Sequence, residues 1–125
     1  MFKQLNLTTN NNLFKNKYTF DERLNESQNV LKKYPDRIPI ICEPLSKLQP
    51  SIDKTKYLVP FDLTIGQYIW VIRQRLKLHS EEALFLLING HILPTNAVIG
   101  HIYHDFKDND GFLYCVYTKE NTFGF

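Results

Sequence analysis

Apolar residues recur at helical spacing near the start of the chain. Residues 19–33 read TFDERLNESQNVLKK, in which Thr19 and Glu22 form a capping box and basic residues occupy the last turn. Pro35 follows and would end a helix. The pattern predicts a helix over residues 19–33, preceded by one short helical turn at residues 13–18. One stripe of this helix consists of Phe20, Leu24, Ser27 or Gln28, and Leu31.

A second amphipathic segment spans residues 63–78 and begins with a Thr-x-x-Gln capping box. A third, shorter helix is predicted over residues 95–106, with Thr95 or Asn96 as its cap. The residues of the second helix that are predicted to face the core are Ile65, Tyr68, Ile69, Ile72 and Leu76.

Runs of β-branched and aromatic residues predict strands at residues 37–43, 56–60, 83–88 and 112–118. An Asn-Gly pair, the strongest short hairpin signal, follows the third of these runs. It predicts a short return strand at residues 91–93.

The second predicted strand has the features of a sheet edge. Lys54 and Lys56 flank it and Pro60 closes it, and both residue types discourage further strand pairing. The order helix, strand, strand, helix, strand, short helix, strand indicates an α+β protein with a four-stranded mixed sheet, a β-grasp arrangement. In it the first and last strands lie parallel at the centre, because a crossover connection separates them.

Length and composition narrow the class of protein. A chain of 125 residues, 43% of them hydrophobic, suits one globular domain. A net charge of +2 gives no reason to expect nucleic acid as a partner. The longest apolar run, residues 83–88, is too short to span a membrane, and the N-terminus lacks the pattern of a signal peptide.

The cysteines and histidines indicate no metal or redox site. Cys42 and Cys115 lie in apolar, strand-like runs, which favours reduced core thiols in a cytosolic protein, although sequence cannot decide against a disulfide. Only His101 and His104 have helical ligand spacing, and no Cys or second pair completes a site. Neither a metal nor another cofactor is expected, and no nucleophile–base pair or phosphate loop indicates an enzyme.

The chain ends in a glycine followed by one bulky residue, Gly124 and Phe125. A glycine in a polar tail is often without consequence. A glycine is also what a narrow active-site tunnel requires beside a reacting carbonyl, since it has no Cβ. The tail alone leaves both interpretations open.

Four segments carry a family resemblance: KKYPDRIPIICE, DKTKYLVPFDLTIGQYIWVIRQRL, LPTNAVIGHIY and FLYCVY. In order and spacing they closely resemble the GABARAP family, also called the autophagy-related protein 8 family of ubiquitin-like modifiers, over about residues 14–124. The resemblance implies a ubiquitin-like β-grasp preceded by two N-terminal helices. The expected parts are a flexible Asn-rich extension (1–12), a helical subdomain (13–35), the β-grasp (36–118) and a flexible tail (119–125).

The resemblance implies a function for the tail. In this family a processing cysteine protease leaves a terminal glycine, which corresponds to Gly124 and makes Phe125 the residue removed. Activating and conjugating enzymes then transfer that glycine to phosphatidylethanolamine. The chain would be a substrate of these enzymes, monomeric in solution, and present in the cytoplasm and on autophagosome or other vesicle membranes after lipidation. In some single-celled lineages the family also serves a plastid, an alternative that the sequence leaves open.

The resemblance also implies a groove at the second strand for cargo receptors with an aromatic-x-x-aliphatic motif beside acidic residues. The pocket for the aromatic side chain would consist of Glu26, Val30, Pro39, Lys56, Leu58 and Phe112. The pocket for the aliphatic side chain would consist of Tyr57, Val59, Pro60, Leu63, Tyr68, Val71 and Ile72. The basic positions that meet the acidic flank would be Arg37, Lys54, Lys56 and Arg75. Without the resemblance, the helical members of this set read as ordinary core residues and the lysines as edge protection.

Four features depart from the family pattern. The N-terminus is about nine residues longer than the short family pattern, and its Asn-rich start matches nothing in it. Phe14 stands where the family often has Tyr, Phe61 replaces a small polar residue, and the loop at residues 44–52 looks one residue shorter. The alternative function is a non-lipidated trafficking or cytoskeletal adaptor that uses the same groove. Gly124 distinguishes the two functions, because an adaptor of that kind would not need it.

Overall fold

The structure, a computed structural model, describes residues 12–119. The predicted flexible segments 1–12 and 119–125 lie outside the described residues except for their innermost positions. The elements of the described part are α1 (Leu13–Lys17), α2 (Phe20–Lys33), β1 (Arg37–Pro44), β2 (Lys56–Pro60), α3 (Ile65–Leu76), β3 (Phe85–Leu87), α4 (Ile99–Phe106) and β4 (Leu113–Thr118).

The four strands form one mixed sheet in the order β2-β1-β4-β3. β1 and β4 are parallel at its centre, and β2 and β3 pair with them in antiparallel fashion as the two edges. A parallel pair needs a long crossover, and the chain between β1 and β4 includes α3, which packs on the sheet. The predicted β-grasp with two helices ahead of it is confirmed, and so is the edge position of β2.

α3 covers one face of the sheet and encloses the main core. Ile65, Tyr68 and Ile72 of this helix are buried among the inward residues of β1 and β4, as its spacing predicts. Cys42 and Cys115 are partners in the β1–β4 register, and both are buried and free of a disulfide bond. The prediction that both cysteines lie in the core is therefore confirmed.

α1 and α2 cover the opposite face of the sheet. Phe14 of α1 packs edge-on against Phe112, with ring centroids 5.2 Å apart. Arg23 of α2 donates from Nε to Asp110 Oδ2 at 2.8 Å, and this ion pair is almost completely buried. Asp110 also accepts the Tyr114 hydroxyl at 2.5 Å, so a single carboxylate joins the second helix to the sheet.

The buried face of α2 differs from the apolar stripe in its sequence. Arg23 and Ser27 are its buried residues, whereas Phe20 is 43% exposed. The reason is polar: Arg23 reaches Asp110, and the Ser27 hydroxyl donates to the Asp110 carbonyl at 2.5 Å. Both side chains must therefore point inward, which turns Phe20 toward solvent.

Two further predictions are wrong in detail. No return strand forms at residues 91–93, where a single bridge joins Ile88 and His91. α4 begins at Ile99 after Val98 rather than at a Thr95 or Asn96 cap, and Val98 provides no side-chain cap. Residues 94–98 instead cap the N-terminus of α3. The backbone carbonyls of Thr95 and Ala97 accept the first amides of α3, both at 2.9 Å.

Candidate functional site

β2 is an edge strand whose outward backbone groups can be identified from its register. Pro39 pairs with Leu58, and proline has no N–H to give to a ladder. That pair must therefore be a non-hydrogen-bonded pair, and the alternation turns the N–H and C=O of Leu58 and Lys56 away from β1. The Phe61 N–H donates to the Asp36 carbonyl at 3.1 Å. This pair lies three positions beyond Pro39–Leu58, where the alternation requires a hydrogen-bonded pair.

The side chains of β2 alternate between the two faces of the sheet. Lys56 lies on the face of the N-terminal helices, where its Nζ pairs with Glu26 Oε2 at 2.7 Å. Tyr57 lies on the α3 face and makes an edge-to-face contact with Tyr68, with centroids 5.5 Å apart. A strand beside β2 would thus have one helical neighbour above it and another below it.

On the face of the N-terminal helices, the structure brings the predicted aromatic pocket together only in part. Pro39 and Phe112 are buried, and Glu26, Val30 and Leu58 are half-buried. Glu26 and Val30 are four positions apart on α2 and share a face. The Lys56–Glu26 ion pair spans the gap between this helix and β2.

A cavity at the start of β2 shares only Lys56 with the predicted site, and its other lining residues are ones that the predicted site omits. It has a volume of about 310 Å³, and Phe14 and Lys56 both line it. Lys56 Nζ lies 5.9 Å from the centre of the Phe14 ring. No sequence pattern places Phe14 here, because its position depends on how α1 packs against the sheet. The other residues that line the cavity are Leu13, Lys17, Tyr18, Glu43 and Thr55.

On the α3 face, the predicted aliphatic pocket has a buried floor and a more open rim. Tyr68 and Ile72 are fully buried and form the floor. Leu63 and Val71 are half-buried beside the core, and Pro60 is exposed at the end of β2. Tyr57 and Val59, also in the predicted set, are buried members of the core.

The basic positions surround both ends of β2, and several already have partners. Lys54 Nζ lies 5.3 Å from the centre of the Tyr57 ring. Arg75 is 3.4 Å from Asp53, and Lys56 is paired with Glu26. Arg37 donates to the outward carbonyl of Leu58 at 3.4 Å. An acidic peptide would have to compete with these contacts.

Burial raises the pKa of the Tyr57 phenol well above its usual value. The largest cause is desolvation, with the nearby Cys42 acting in the same direction and Arg75 opposing it. The phenol therefore stays neutral at every physiological pH. The electrostatic character of this edge then depends on the exposed lysines and arginines.

The last described residue, Lys119, is fixed to the body of the protein. Its N–H donates to Gln49 Oε1 at 2.7 Å, and its ammonium pairs with Glu82. Gly124 and Phe125, the predicted processing site, lie outside the described residues. In the described part of the chain no helix is long and apolar enough to span a bilayer.

The β-grasp sheet, with its crossover helix on one face, defines a ubiquitin-like protein, here with two additional N-terminal helices. A family model described as "Autophagy protein Atg8 ubiquitin like" matches residues 22–124. The chain belongs to this family.

Individual relatives agree with that assignment. The chain is 52% identical to autophagy-related protein 8 of Schizosaccharomyces pombe over 89% of its own length and 93% of the relative. It is 50% identical to the protein of the same name from Mycosarcoma maydis, over 89% and 95%. A crystal structure of Trypanosoma brucei ATG8 matches with a TM-score of 0.80 and 42% identity, covering 84% of this chain and 91% of that one.

Proposed function

We propose that this protein is a conjugated modifier of autophagy, attached through Gly124 to phosphatidylethanolamine. A protease hydrolyses the Gly124–Phe125 peptide bond and leaves a glycine carboxylate. An activating enzyme adenylates that carboxylate with ATP and releases pyrophosphate. A cysteine thiol then displaces AMP, a conjugating enzyme carries the glycine as a thioester, and the lipid amine displaces the thiol to form an amide. The chain is the substrate of this sequence of reactions and catalyses none of them.

The family match that extends to Gly124 supports the proposal most directly, because it includes the residue that would react. The physical outcome is consistent with a chain whose described helices cannot span a membrane. One acyl chain holds a protein only marginally, but two anchor it stably at ~0.8 kcal/mol per buried CH₂. Phosphatidylethanolamine supplies two acyl chains through one bond, so the protein would associate with autophagosome or other vesicle membranes.

Reconstitution on liposomes that contain phosphatidylethanolamine tests the attachment. A chain ending at Gly124 should be conjugated by the activating and conjugating enzymes without the protease, whereas the chain ending in Phe125 should require it. Gly124→Ala should fail in both forms, since a methyl group beside the carbonyl crowds a tunnel shaped for glycine. Equal conjugation of the Gly124→Ala variant and the wild-type sequence would contradict the proposal.

We also propose that the β2 edge receives the aromatic-x-x-aliphatic motif of cargo receptors as an added strand. The alternation of β2 supports this. Two residues three apart on a strand point to opposite faces, so the aromatic side chain would enter beside α2 and the aliphatic one beside α3. Lys56, the first residue of β2, belongs to the predicted pocket for the aromatic side chain, and Pro60, the last, belongs to the pocket for the aliphatic one. The peptide would therefore run parallel to β2.

Two buried anchors at ~1.5–3 kcal/mol each, less the cost of ordering a flexible peptide, suggest an affinity on the order of micromolar. Titration calorimetry with a peptide carrying an acidic stretch and Trp-x-x-Leu checks this, and binding should weaken as salt rises. Lys56→Glu combined with Leu58→Ala should nearly abolish binding and leave the circular dichroism spectrum unchanged. Unchanged binding by the double variant would refute the groove assignment.

A non-lipidated adaptor is the second candidate, and the same groove supports it. Intact mass of the protein recovered from its own cells, before and after detergent extraction of membranes, separates the two. Loss of Phe125 and gain of a phospholipid mass support the modifier. A full-length, unmodified mass in every fraction supports the adaptor.

A further inference from the structure

An aromatic platform lies immediately beyond the end of β2. Phe61 follows Pro60, and its side chain is 44% exposed. Its N–H donates to the Asp36 carbonyl at 3.1 Å, and its own carbonyl accepts from the Gly100 N–H at 2.9 Å. These two bonds hold its backbone between β1 and α4.

The ring of Phe61 is held as firmly as its backbone. It lies so close to Gly100 that a Cβ built there would come within 2.2 Å of a ring carbon. The His101 ring meets it edge-on, with centroids 5.6 Å apart. One side of the ring is therefore packed on α4, and the other side faces solvent.

Two carboxylates accompany this ring. Asp36 and Asp62, together with Pro60 and Phe61, line a shallow concavity of about 400 Å³. Both aspartates are exposed, and neither forms a salt bridge with another residue of the described range 12–119. Arg37, which follows Asp36 in the sequence, donates to the Leu58 carbonyl on β2.

An aromatic face beside two unpaired carboxylates suits a cation on an apolar stem. A lysine or arginine can lay its methylene groups on the ring and bring its charge to the carboxylates. The concavity also continues the β2 edge without a break, since Pro60 belongs to both. A small polar residue at position 61 would provide no such surface.

We propose that this concavity binds a lysine or arginine of the partner peptide, placed one to three residues after the aliphatic anchor. This inference rests on the proposed groove. A peptide parallel to β2 passes from Lys56 toward Pro60 and then over Phe61, at ~3.3 Å per residue. Preferred partners would thus carry acidic residues before the motif, opposite Lys54 and Lys56, and basic residues after it.

Three matched peptides test the inference. They share the acidic flank and the Trp-x-x-Leu core, and they differ only in the second and third residues after Leu, which are both Lys, both Gln or both Glu. The Lys peptide should bind the unmodified protein ~3- to 10-fold more tightly than the Gln peptide, with the Glu peptide weakest. The Lys advantage should shrink as salt rises.

The protein variants separate charge from packing. Asp36→Asn with Asp62→Asn is isosteric and should remove most of the Lys advantage while leaving the affinity for the Gln peptide unchanged. Phe61→Ser should also reduce the affinity advantage of the Lys peptide. Its melting temperature should be measured to detect any loss of packing on Gly100. Glu81→Gln, an exposed acid on the loop before β3, is the control and should change nothing.

The outcomes are distinguishable. A Lys advantage that persists in the double Asn variant overturns the concavity as its origin. Equal affinity of all three peptides for the unmodified protein also overturns it. Failure of every peptide to bind overturns the groove itself, and the inference with it.

Discussion

At the scale of single residues, Gly111 controls how the N-terminal helices meet the sheet. Its φ is +90°, a conformation that side chains rarely adopt. A Cβ at this position would also lie 2.3 Å from Ser27 Oγ, which is fully buried on α2. The residue is a glycine for two independent reasons, one in its own backbone and one in its neighbour.

We expect Gly111→Ala to lower the free energy of unfolding by about 2–4 kcal/mol, the sum of backbone strain and forced repacking. Urea denaturation followed by circular dichroism measures it. Gly66→Ala is the matched control, because Gly66 has no positive φ and its Cβ would meet the Thr95 carbonyl oxygen at 3.3 Å, which a shift of a few tenths of an ångström relieves. That change should stay within about 1 kcal/mol. Similar losses in both variants would contradict this account.

Glu43 is a second residue whose environment has a measurable consequence. It is buried on β1, and its Oε2 accepts the Phe14 N–H at 2.7 Å, which ties α1 to the sheet. Burial raises the pKa of the carboxyl, although the Phe14 N–H and the charge of Lys15 act in the opposite direction. The charged form is therefore less favourable in the folded protein than in the unfolded chain.

The sign of the pH effect follows from that direction. Between the pKa of the unfolded chain and the raised pKa of the folded protein, the folded state binds more protons, so Glu43 makes stability fall as pH rises. Glu43→Gln keeps an acceptor for the Phe14 N–H and removes the charge. We expect the variant to be more stable than the unmodified protein at pH 7. Its advantage should disappear as the pH is lowered past the folded pKa of Glu43. Urea denaturation at a series of pH values measures the difference in free energy of unfolding between the two proteins. A difference that does not change with pH would contradict a raised pKa for Glu43.

At the scale of elements, the backbone groups of the edge strand β2 point alternately toward β1 and away from it. Leu58 presents its N–H and C=O outward, whereas Val59 has its own directed into the β1 ladder. Proline substitution therefore has opposite consequences at two adjacent positions. At one it removes a donor that only a partner would use, and at the other it removes a bond of the fold.

Leu58→Pro, compared with Leu58→Ala, should reduce affinity for the motif peptide by a further ~5-fold, the equivalent of one hydrogen bond of about 1 kcal/mol. The stabilities of these two variants should agree within about 1 kcal/mol. Val59→Pro should instead destabilise the fold by about 3 kcal/mol or more. Calorimetric titration and thermal unfolding of all three variants measure both quantities. Equal affinities of the Leu58→Pro and Leu58→Ala variants would show that this N–H makes no bond to the peptide.

Elements also show which signals the sequence carries. The capping boxes of α2 and α3 are both present, with Thr19 and Thr64 accepting the backbone amides that local spacing predicts. The start of α4 was not predictable in this way. Its upstream residues Thr95 and Ala97 have their carbonyls bound to α3, and that contact depends on tertiary structure. The edge position of β2 was predictable because lysine and proline report on a strand's own exposure.

At the scale of the whole molecule, the candidate site combines residues that are distant in sequence. Lys56 and Glu26 are thirty positions apart in the sequence. Phe14 lies beside Lys56 only because α1 packs against the sheet. A pattern of apolar residues cannot identify such a neighbour. Most residues of the proposed groove were predicted from the family resemblance, because the spacing of its helical members alone is that of an ordinary core helix.

The arrangement of the sheet keeps the β2 edge apart from β4, the strand that precedes the proposed attachment site. β2 and β4 are separated by β1, so about 10 Å lies between the peptide edge and the last strand. β4 runs parallel to β1 and ends beside Pro44, whereas the concavity at Phe61 lies beyond the opposite end of β1. Changes at sites more than about 7–10 Å apart, with no shared partner, are usually independent in free energy.

We therefore expect Gly124→Ala to bind the Trp-x-x-Leu peptide with a Kd within about twofold of the unmodified protein, although its conjugation to lipid should fail. Titration calorimetry on the soluble protein measures the first property, and the liposome reaction measures the second. The Lys56→Glu, Leu58→Ala variant provides the matched loss of peptide binding with Gly124 intact. A tenfold weaker Kd for Gly124→Ala would mean that the tail contacts the groove. Attachment to a membrane would then alter partner binding directly, rather than only bringing the groove to the membrane surface.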